Sequence, residues 1–390
     1  MENDELLLSI VIPTFERYEY LRECLKAAVS IVSEEIEFVV QDNTKDNEEI
    51  VPFIERMGDK RIKYYHEERR MTVSENSDQA IEHSRGKYIC MIGDDDTVCS
   101  NIVDLAKCMK QYSIDTCCFG ICKYIWPDLL EQVPLLFCYE IEKTDMYFTY
   151  KNPKDLLHAC LSSGVHDITN LPRVYHAISS RRILEQIKDR TGTYFPGPSP
   201  DMANAVATML LSSKHVQTEI PIMISGYSGK STGGLGKRGL HKGALKGRAS
   251  LPKNILEIWD NRIPRLWMGD TIWPASAITS LKAMGYESMR DEIDFSIIYA
   301  SVLAHAGELG AVLECGVTPF DVLGMIKYAI KKCFDKYLRR KKETKNIIVK
   351  IKRPFSLCIA KDIQDTINNN YSIEKAFQFL HSGVRGNDMP

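Results

Sequence analysis

The chain has 390 residues, of which 44% are hydrophobic, 26% are charged and 9% are aromatic. This composition is typical of globular proteins and excludes a disordered, collagenous or fibrous protein. Fifty Lys and Arg residues against 52 Asp and Glu residues give a net charge of −2, so the chain as a whole does not attract nucleic acid. The length favours two domains, or one large domain with an extension.

The twelve cysteines are spread over the chain, and none forms a CxxC pair. A zinc site needs four ligands at fixed spacing, so buried reduced thiols are the favoured interpretation, and these are typical of the cytosol. The acidic start at residues 1–5 differs from the basic start of a signal peptide, and no apolar run approaches the roughly 20 residues that span a bilayer. We therefore expect a cytoplasmic protein, either soluble or bound at a membrane surface.

The first 125 residues alternate between apolar runs and segments with apolar residues at helical spacing. The apolar runs predict strands at residues 7–12, 36–40, 61–65 and 88–92. The helical spacing predicts helices at residues 17–32, 48–57 and 73–83. This alternation indicates an α/β fold with a mostly parallel sheet covered by helices on both faces. Beyond residue 251 the pattern is mainly helical.

Polar residues follow three of the predicted strands, at the edge where such sheets bind ligands. They are Pro13 with Thr14, Asp42 with Asn43, and the run Asp94–Asp96. The first strand-to-helix turn contains no glycine, so the dinucleotide fingerprint GxGxxG is absent and a dehydrogenase is disfavoured.

The three adjacent carboxylates of Asp94, Asp95 and Asp96 are the strongest chemical signal in the sequence. They repel one another, and a bound Mg²⁺ or Mn²⁺ compensates this repulsion while it shares oxygen ligands with a phosphate. The alternative is a solvated acidic turn that caps a helix.

Three segments resemble family 2 glycosyltransferases in order and spacing, over about the first 110 residues. They are residues 9–17 (SIVIPTFER), 38–44 (FVVQDNT) and 85–96 (RGKYICMIGDDD). The resemblance implies a GT-A fold, a nucleotide-sugar donor, a divalent metal and inversion at the anomeric carbon. It also implies a uridine-based nucleotide, although a thymidine base is compatible with the same residues.

The resemblance assigns roles to residues of the first two segments. Pro13 and Thr14 would cradle the nucleoside through the backbone, with Arg17 nearby. Asp42 matches the carboxylate that typically contacts the base.

In the third segment, Asp95 matches the last Asp of the DxD motif and would bind the metal on the diphosphate. Gly93 stands at the first position of that motif, so Asp94 or Asp96 would share the metal role. We assign Asp96 to the metal and Asp94 to the nucleotide.

Asp201 is the candidate catalytic base. Inverting transfer needs a group that removes the proton of the acceptor hydroxyl, and a carboxylate at a helix start behind a Pro-rich loop is suitably rigid. In the family a catalytic Asp begins a helix about 100 residues after the metal motif, which Asp201 matches. The alternative is a plain helix cap next to Pro200.

Residues 226–248 contain eight glycines and six Lys or Arg residues but no acidic residue. This composition predicts a mobile lid over the diphosphate, with Lys230, Lys237, Arg238 and His241 as candidate contacts. The alternative is a disordered basic loop.

Residues 322–353 contain twelve Lys or Arg residues and two acidic residues. Their apolar residues lie on one helical face, so the segment could lie on an anionic membrane surface and serve an undecaprenyl-linked acceptor. The alternative is a solvated face of a helix packed on its own domain. The apolar C-terminal region could also supply a homodimer interface.

Together these features predict a GT-A nucleotide-sugar glycosyltransferase domain at residues 1–250 and a helical domain at 251–390. We expect metal-dependent inverting sugar transfer to a saccharide or a lipid-linked acceptor, in assembly of a surface polysaccharide such as O-antigen or capsule. Two alternatives stay open: a non-catalytic relative that binds nucleotide-sugar or acts as a scaffold, and a metal-dependent nucleotidyltransferase.

Overall fold

A single mixed sheet forms the centre of the computed structural model, which describes residues 6–130, 148–248 and 250–341 together with Ile373. In these residues the strands are β1 Leu8–Thr14, β2 Ile36–Asp42, β3 Ile62–His66, β4 Tyr88–Met91, β5 Thr97–Val98, β6 Thr116–Ile125, β7 Phe148–Lys151, β8 Ile178–Ser180 and β9 His215–Tyr227.

The strand order is β3-β2-β1-β4-β8-β6-β9-β5, and β7 pairs with β9 on a branch from this path. The pairs β3/β2, β2/β1, β1/β4 and β6/β9 are parallel and include the longest registers of the sheet. Strand β8 is antiparallel to both of its neighbours and joins the two parallel parts. The predicted mostly parallel sheet is confirmed.

Helices cover the sheet and continue beyond it toward the C-terminus. They are α1 Tyr18–Ala28, α2 Val51–Met57, α3 Val73–Glu82, α4 Asn101–Tyr112, α5 Pro127–Leu130, α6 Pro153–Ser162, α7 Arg181–Thr191, α8 Pro200–Leu211, α9 Thr232–Lys237, α10 Ile255–Ile258, α11 Gly269–Ala283, α12 Phe295–Ala306, α13 Leu309–Leu313 and α14 Pro319–Lys341, with a 3₁₀ helix at Glu287–Glu292.

Successive residues of β1 point to opposite faces of the sheet, and each face has its own apolar cluster. Ile10 and Ile12 pack with α1 and α4 on one face. Val11 packs with α3, α7 and α8 on the other face. Both faces of the strand are buried, which explains why it reads as a continuous apolar run rather than an alternating one.

A third apolar cluster joins α6 and α8 to the helices that follow residue 250. Helix α11 packs along α8, where the Ser280 hydroxyl donates to the Ala203 carbonyl at 2.8 Å. The helical C-terminal region is confirmed up to Lys341, and its predicted continuation to residue 390 lies outside the described residues. The boundary at residue 250 stays a prediction.

The chain before α7 forms the short strand β8 at Ile178–Ser180, and ahead of it there is an isolated bridge between Tyr175 and Met91. Residues 226–248, predicted to be a mobile lid or a disordered loop, begin as the end of β9 and include the short helix α9, and the lid role stays a prediction.

None of the described helices is both long enough and apolar enough to cross a membrane. Every described cysteine is a free thiol, and all of them except Cys333 are buried. The predicted buried thiols are thus confirmed for this part of the chain.

Candidate active site

The acidic run Asp94–Asp96 lies between β4 and β5, at the carboxyl edge of the parallel strands. All three carboxylates are buried, with exposed fractions of 1%, 4% and 1%. A side chain at Gly93 would come within 3.0 Å of carboxylate oxygens of Asp95 and Asp96, so glycine at this position leaves room for the turn. Burial of three adjacent acids in one turn requires compensating groups from elsewhere in the chain.

Asp94 is held by two residues at the end of β1 and in the turn after it. The Thr14 hydroxyl donates to Asp94 Oδ2 at 2.6 Å, and Arg17 Nη2 lies 2.9 Å from Asp94 Oδ1. The same Arg17 nitrogen lies 2.8 Å from Asp95 Oδ1, so a single guanidinium bridges the two carboxylates. The structure thus brings together Thr14, Arg17, Asp94 and Asp95, as predicted from the sequence.

Asp95 is also covered by the chain that leaves β9. The Ser228 hydroxyl donates to Asp95 Oδ2 at 2.7 Å, and Trp126 Nε1 donates to the Asp95 carbonyl at 3.1 Å. Arg17 Nη2 also donates to Ser228 Oγ, at 3.1 Å. A Cβ on Gly226 would lie 1.9 Å from the Asp95 carbonyl oxygen, so only glycine permits this approach of β9.

Asp96 accepts three hydrogen bonds from the protein. The N–H groups of Gly93 and Gly226 donate to it at 2.7 and 2.8 Å, and His176 Nε2 lies 2.7 Å from its Oδ2. With both oxygens occupied in this way, Asp96 ties β9 and the His176 segment to the acidic turn. Its assignment to the metal stays a prediction.

The electrostatics of the acidic turn leave negative charge under-compensated. Burial raises the pKa of Asp94 to about 7 and also raises the pKa of Asp95, although Arg17 acts in the opposite direction. Carboxylate oxygens are preferred ligands of Mg²⁺ and Mn²⁺, and a divalent cation would supply the missing positive charge, so the residues fit such an ion. Within the described part of the chain no three His, Cys, Asp or Glu side chains form a ready metal site. Arg17 lies against Asp95 Oδ1, so a cation on that oxygen would take the place of Arg17.

Asp42, the predicted base contact, is fully buried at the end of β2. The hydroxyls of Tyr18 and Tyr64 each donate to its Oδ2 at 2.7 Å, and the Thr44 N–H donates to its Oδ1 at 2.8 Å. Burial, and then the hydrogen bond to Asp42, raises the pKa of both tyrosines, so both remain protonated donors. Asp42 therefore orders the wall of the predicted nucleoside site, and direct base contact stays a prediction.

A cavity of about 630 Å³ lies beside this wall. It is lined by Glu16, Tyr18, Glu19, Thr44, Asp46, Glu48, Glu49 and Lys230. Lys230 forms an ion pair with Glu19 at 2.5 Å, so this predicted lid residue lies at the rim of the cavity.

Asp201 begins α8, directly after Pro200 at the first helical position, where proline is tolerated. The Ser199 hydroxyl and the Met202 N–H both donate to Asp201 Oδ1. Its other oxygen, Oδ2, accepts no hydrogen bond from the described residues. The carboxylate is partly exposed, so the structure fixes one of its oxygens and leaves the other available to a ligand.

The loop before Asp201 is supported from the helical C-terminal region. The Ser276 hydroxyl on α11 accepts a hydrogen bond from the Ser199 N–H at 2.8 Å. A Cβ on Gly197 would lie 3.0 Å from the Ser276 carbonyl, so this loop packs closely against α11. The helices after residue 250 therefore help to position Asp201.

Tyr175 and His176 complete the site, and the sequence did not point to either of them. The two rings stack with centroids 3.8 Å apart, and Tyr175 interacts electrostatically with Asp95, Asp96 and Asp201. His176 has a φ of +58°, a left-handed conformation that is costly for a residue with a Cβ. The third missed residue is Ser228, whose segment carries no motif.

The remaining predicted lid residues follow Ser228 along the chain. Arg238 Nη2 donates to the Gly229 carbonyl at 2.6 Å, and the side chain of Lys237 lies outside the described residues. His241 packs edge-on against Trp267, with ring centroids 4.1 Å apart. Burial, and then nearby Arg248, lowers the pKa of His241, so its imidazole is neutral at pH 7 and would serve as a hydrogen-bonding group rather than a charge.

Comparison with known proteins covers the part of the chain that holds the acidic turn. Residues 9–167 match the family model described as glycosyl transferase family 2. The glycosyltransferase GlyG of Streptococcus pneumoniae is 27% identical over 99 residues, which are 25% of this chain and 33% of that protein. An uncharacterized glycosyltransferase of Rickettsia felis is 33% identical over 99 residues, which are 25% of this chain and 16% of that protein. The chain thus spans a third or less of the length of these curated relatives.

Solved structures share a more distant likeness with the chain. S. aureus TarS 1–349 in complex with UDP-GlcNAc is 13% identical, with a TM-score of 0.48 over 78% of this chain and 89% of that one. The mannosyltransferase PcManGT from Pyrobaculum calidifontis, in complex with GDP-Man and Mn²⁺, is 15% identical, with a TM-score of 0.40 over 85% and 88% of the two chains.

The family match begins at Ser9 and includes both the Pro13–Arg17 turn and the acidic run, whereas Asp201 and residues 226–248 lie beyond it. The three motif segments that resembled the family therefore all fall inside the matched region. The similarity to glycosyltransferase family 2 thus lies in residues 9–167, which include the acidic turn.

Proposed function

We propose that the protein is a metal-dependent, inverting glycosyltransferase that uses a nucleotide-sugar, in particular a UDP-sugar. The observation that carries this proposal is the arrangement of two acidic centres around Tyr175. On one side His176 contacts Asp96 at 2.7 Å, and on the other the Val174 N–H donates to Asn204, one turn after Asp201 on α8. We expect leaving-group stabilisation on the first side of this segment and proton removal on the second.

The donor diphosphate would bind at the acidic turn. Asp95, together with Asp94 or Asp96, would hold a Mn²⁺ or Mg²⁺ ion, which stabilises negative charge on the departing nucleoside diphosphate. Arg17, which lies against both carboxylates, would be near enough to bind a phosphate oxygen of the donor. Thr14 and Pro13 would contact the nucleoside through their backbone, beside the tyrosines that Asp42 orders.

Asp201 would act as the general base. Its Oδ1 is fixed by Ser199 and Met202, so its Oδ2 is free to accept the proton of the acceptor hydroxyl as that oxygen attacks the anomeric carbon. Attack from the face opposite the leaving diphosphate inverts the anomeric configuration.

The chain after β9 would close the donor site. Ser228 already contacts Asp95, and Lys230 and Arg238 lie on the same segment. Lys230, Lys237, Arg238 and His241 on this part of the chain would contact the diphosphate when the segment closes over it.

Release of nucleoside diphosphate tests the proposed reaction. We expect wild-type protein with Mn²⁺ to release UDP from UDP-glucose, UDP-galactose or UDP-N-acetylglucosamine when a bacterial lipid extract supplies the acceptor. Asp95→Ala should lose at least about 100-fold in rate, because charge stabilisation of the leaving group is a large contribution. The exposed Asp104→Ala should keep the wild-type rate. Failure of the folded wild-type protein to release diphosphate from these donors or from GDP- and ADP-sugars would contradict the proposal.

We further propose that α14 brings the enzyme to the cytoplasmic face of a bacterial membrane, where a lipid-linked saccharide would be the acceptor for assembly of a surface polysaccharide such as O-antigen or capsule. Leu323, Ile326, Ile330 and Phe334 are each more than half exposed. They lie on one face of a helix whose sequence holds seven Lys or Arg and two Asp residues. Residues 342–353 of the predicted basic segment lie outside the described residues.

Flotation with lipid vesicles tests the membrane contact. We expect wild-type protein to float with vesicles containing phosphatidylglycerol but not with phosphatidylcholine alone, because each basic residue near an anionic surface contributes roughly 1 kcal/mol. Ile330→Glu should abolish flotation. A homodimer in solution that Ile330→Glu dissociates, without vesicle binding by the wild type, would assign this face to self-association instead.

A further inference from the structure

The segment that carries Tyr175 is held rigidly beside β4. The Met91 N–H donates to the Val174 carbonyl, and the His176 N–H donates to the Met91 carbonyl, both at 2.9 Å. The Val174 N–H donates to Asn204 Oδ1 on α8, also at 2.9 Å. Because Asn204 lies one turn after Asp201, the same helix that presents the proposed base also fixes the Tyr175 backbone.

The side chain of Tyr175 packs against a neighbouring ring and is partly exposed to solvent. Its ring stacks on that of His176, which in turn contacts Asp96 at 2.7 Å. The side chain is partly exposed, and within the described part of the chain its hydroxyl has no hydrogen-bond partner. A rigid aromatic ring with an unpaired hydroxyl is a suitable contact for a ligand with both apolar and polar groups.

The charges around this ring come from both acidic centres. Burial, followed by the nearby carboxylates of Asp96, Asp95 and Asp201, raises the pKa of Tyr175, so its hydroxyl stays a hydrogen-bond donor at neutral pH. The backbone contacts agree with this, since His176 contacts Asp96 and Val174 is bound to the helix that Asp201 begins.

The geometry of inverting transfer determines where the transferred sugar must lie. The bond from the anomeric carbon to the diphosphate breaks on one face of that carbon. The acceptor oxygen forms its bond to the carbon on the opposite face, and its proton goes to the base. The sugar being transferred must therefore lie between the diphosphate site and the base. The segment of Tyr175 joins these two places, because Val174 is bound to Asn204 on α8 and His176 contacts Asp96.

We propose that Tyr175 binds the transferred sugar of the donor and contributes to the choice of that sugar. Its ring would pack against the C–H groups of a pyranose, and its hydroxyl would donate to a sugar hydroxyl, a contact that discriminates between epimers. This inference rests on the proposed function and adds to it the residue that distinguishes a nucleotide-sugar from its nucleoside diphosphate.

Matched ligand pairs test the contact by calorimetric titration in the presence of Mn²⁺. The pairs are UDP with UDP-N-acetylglucosamine, UDP with UDP-glucose, and GDP with GDP-mannose. The proteins are wild type, Tyr175→Ala, Tyr175→Phe and Tyr286→Ala, a partly exposed tyrosine at the end of α11 that serves as control. We expect Tyr175→Ala to weaken the preferred nucleotide-sugar by about fivefold to tenfold while its diphosphate changes by less than about twofold. The affinity of Tyr175→Phe for the nucleotide-sugar should lie between those of wild type and Tyr175→Ala, because this variant keeps the ring and loses the hydroxyl.

The outcomes separate this inference from the proposed function. Equal weakening of the diphosphate and the nucleotide-sugar by Tyr175→Ala would mean that the residue only supports the site, and would overturn the inference. Unchanged affinity for both ligands would also overturn it, with the proposed function intact. Wild-type protein that binds no member of the three pairs would overturn the proposed function and this inference together.

Discussion

Replacement of Asp201 by asparagine is expected to lower the turnover number by at least about 100-fold while donor affinity changes by less than about twofold. Asparagine keeps the size of the side chain and its oxygen can still accept from Ser199 and Met202. It cannot accept the proton of the acceptor hydroxyl. Steady-state release of nucleoside diphosphate and calorimetric titration of the donor give the two quantities.

The exposed Asp189 on α7 provides the matched control, and Asp189→Asn should leave both quantities unchanged. Wild-type turnover in Asp201→Asn would remove Asp201 from the chemistry. Tight donor binding with no turnover in the wild type itself would favour the alternative of a non-catalytic nucleotide-sugar-binding protein, in which Arg17 and Ser228 keep Asp95 occupied.

Gly226→Ala is expected to lower the free energy of unfolding by about 3 kcal/mol, at the upper end of the cost of overpacking. The new Cβ would lie 1.9 Å from the Asp95 carbonyl oxygen and 2.5 Å from Trp126 Nε1, and neither atom belongs to a flexible side-chain end. Relief requires β9 to move away, which breaks the hydrogen bond from the Gly226 N–H to Asp96. Urea denaturation measures the loss in the free energy of unfolding. Donor binding should be lost as well.

Gly236 lies on the same glycine-rich segment, and no atom lies within 4 Å of the Cβ that an alanine would add there. Gly236→Ala should therefore change the free energy of unfolding by less than about 1 kcal/mol, in the stabilising direction because alanine is favoured in a helix. If Gly226→Ala were as well tolerated as Gly236→Ala, the close approach of β9 to the acidic turn would not be required.

Most of the parallel part of the sheet was predictable because its strands are buried on both faces. Leu8, Ile10, Val11 and Ile12 are all fully buried, so the apolar run itself marks the strand. Helix α3 was predicted to within a residue, since its apolar residues recur at helical spacing.

Strand β9 was not predicted, although it is the longest strand described. Pro221 interrupts its sequence and argues against a strand inside a sheet. In the structure Pro221 lies opposite Gly120, where the register of β6 and β9 shifts, so the irregularity accommodates the proline. This compensation depends on a residue 101 positions away in the chain and leaves no local signal.

The acidic turn was singled out from the sequence because three adjacent carboxylates follow a predicted strand, at the edge where such sheets bind ligands. Tyr175, His176 and Ser228 were not found, because their role comes from where the chain brings them. His176 reaches Asp96 only through an unusual left-handed backbone, and Ser228 reaches Asp95 only because Gly226 lets β9 approach. Neither condition can be read from a local pattern.

Thermal unfolding in the presence of nucleotides is the most direct test of the donor site. Wild type, Asp95→Ala and Asp104→Ala are each heated with UDP, GDP, ADP and their sugars, with and without Mn²⁺. A ligand at a hundred times its dissociation constant adds about 2.7 kcal/mol of stability, which is readily detected as a rise in the unfolding temperature. We predict a Mn²⁺-dependent rise with one nucleotide family in wild type and Asp104→Ala, and no rise in Asp95→Ala. The absence of any rise in folded wild-type protein at millimolar ligand, or an equal rise in Asp95→Ala, would contradict a donor site at the acidic turn.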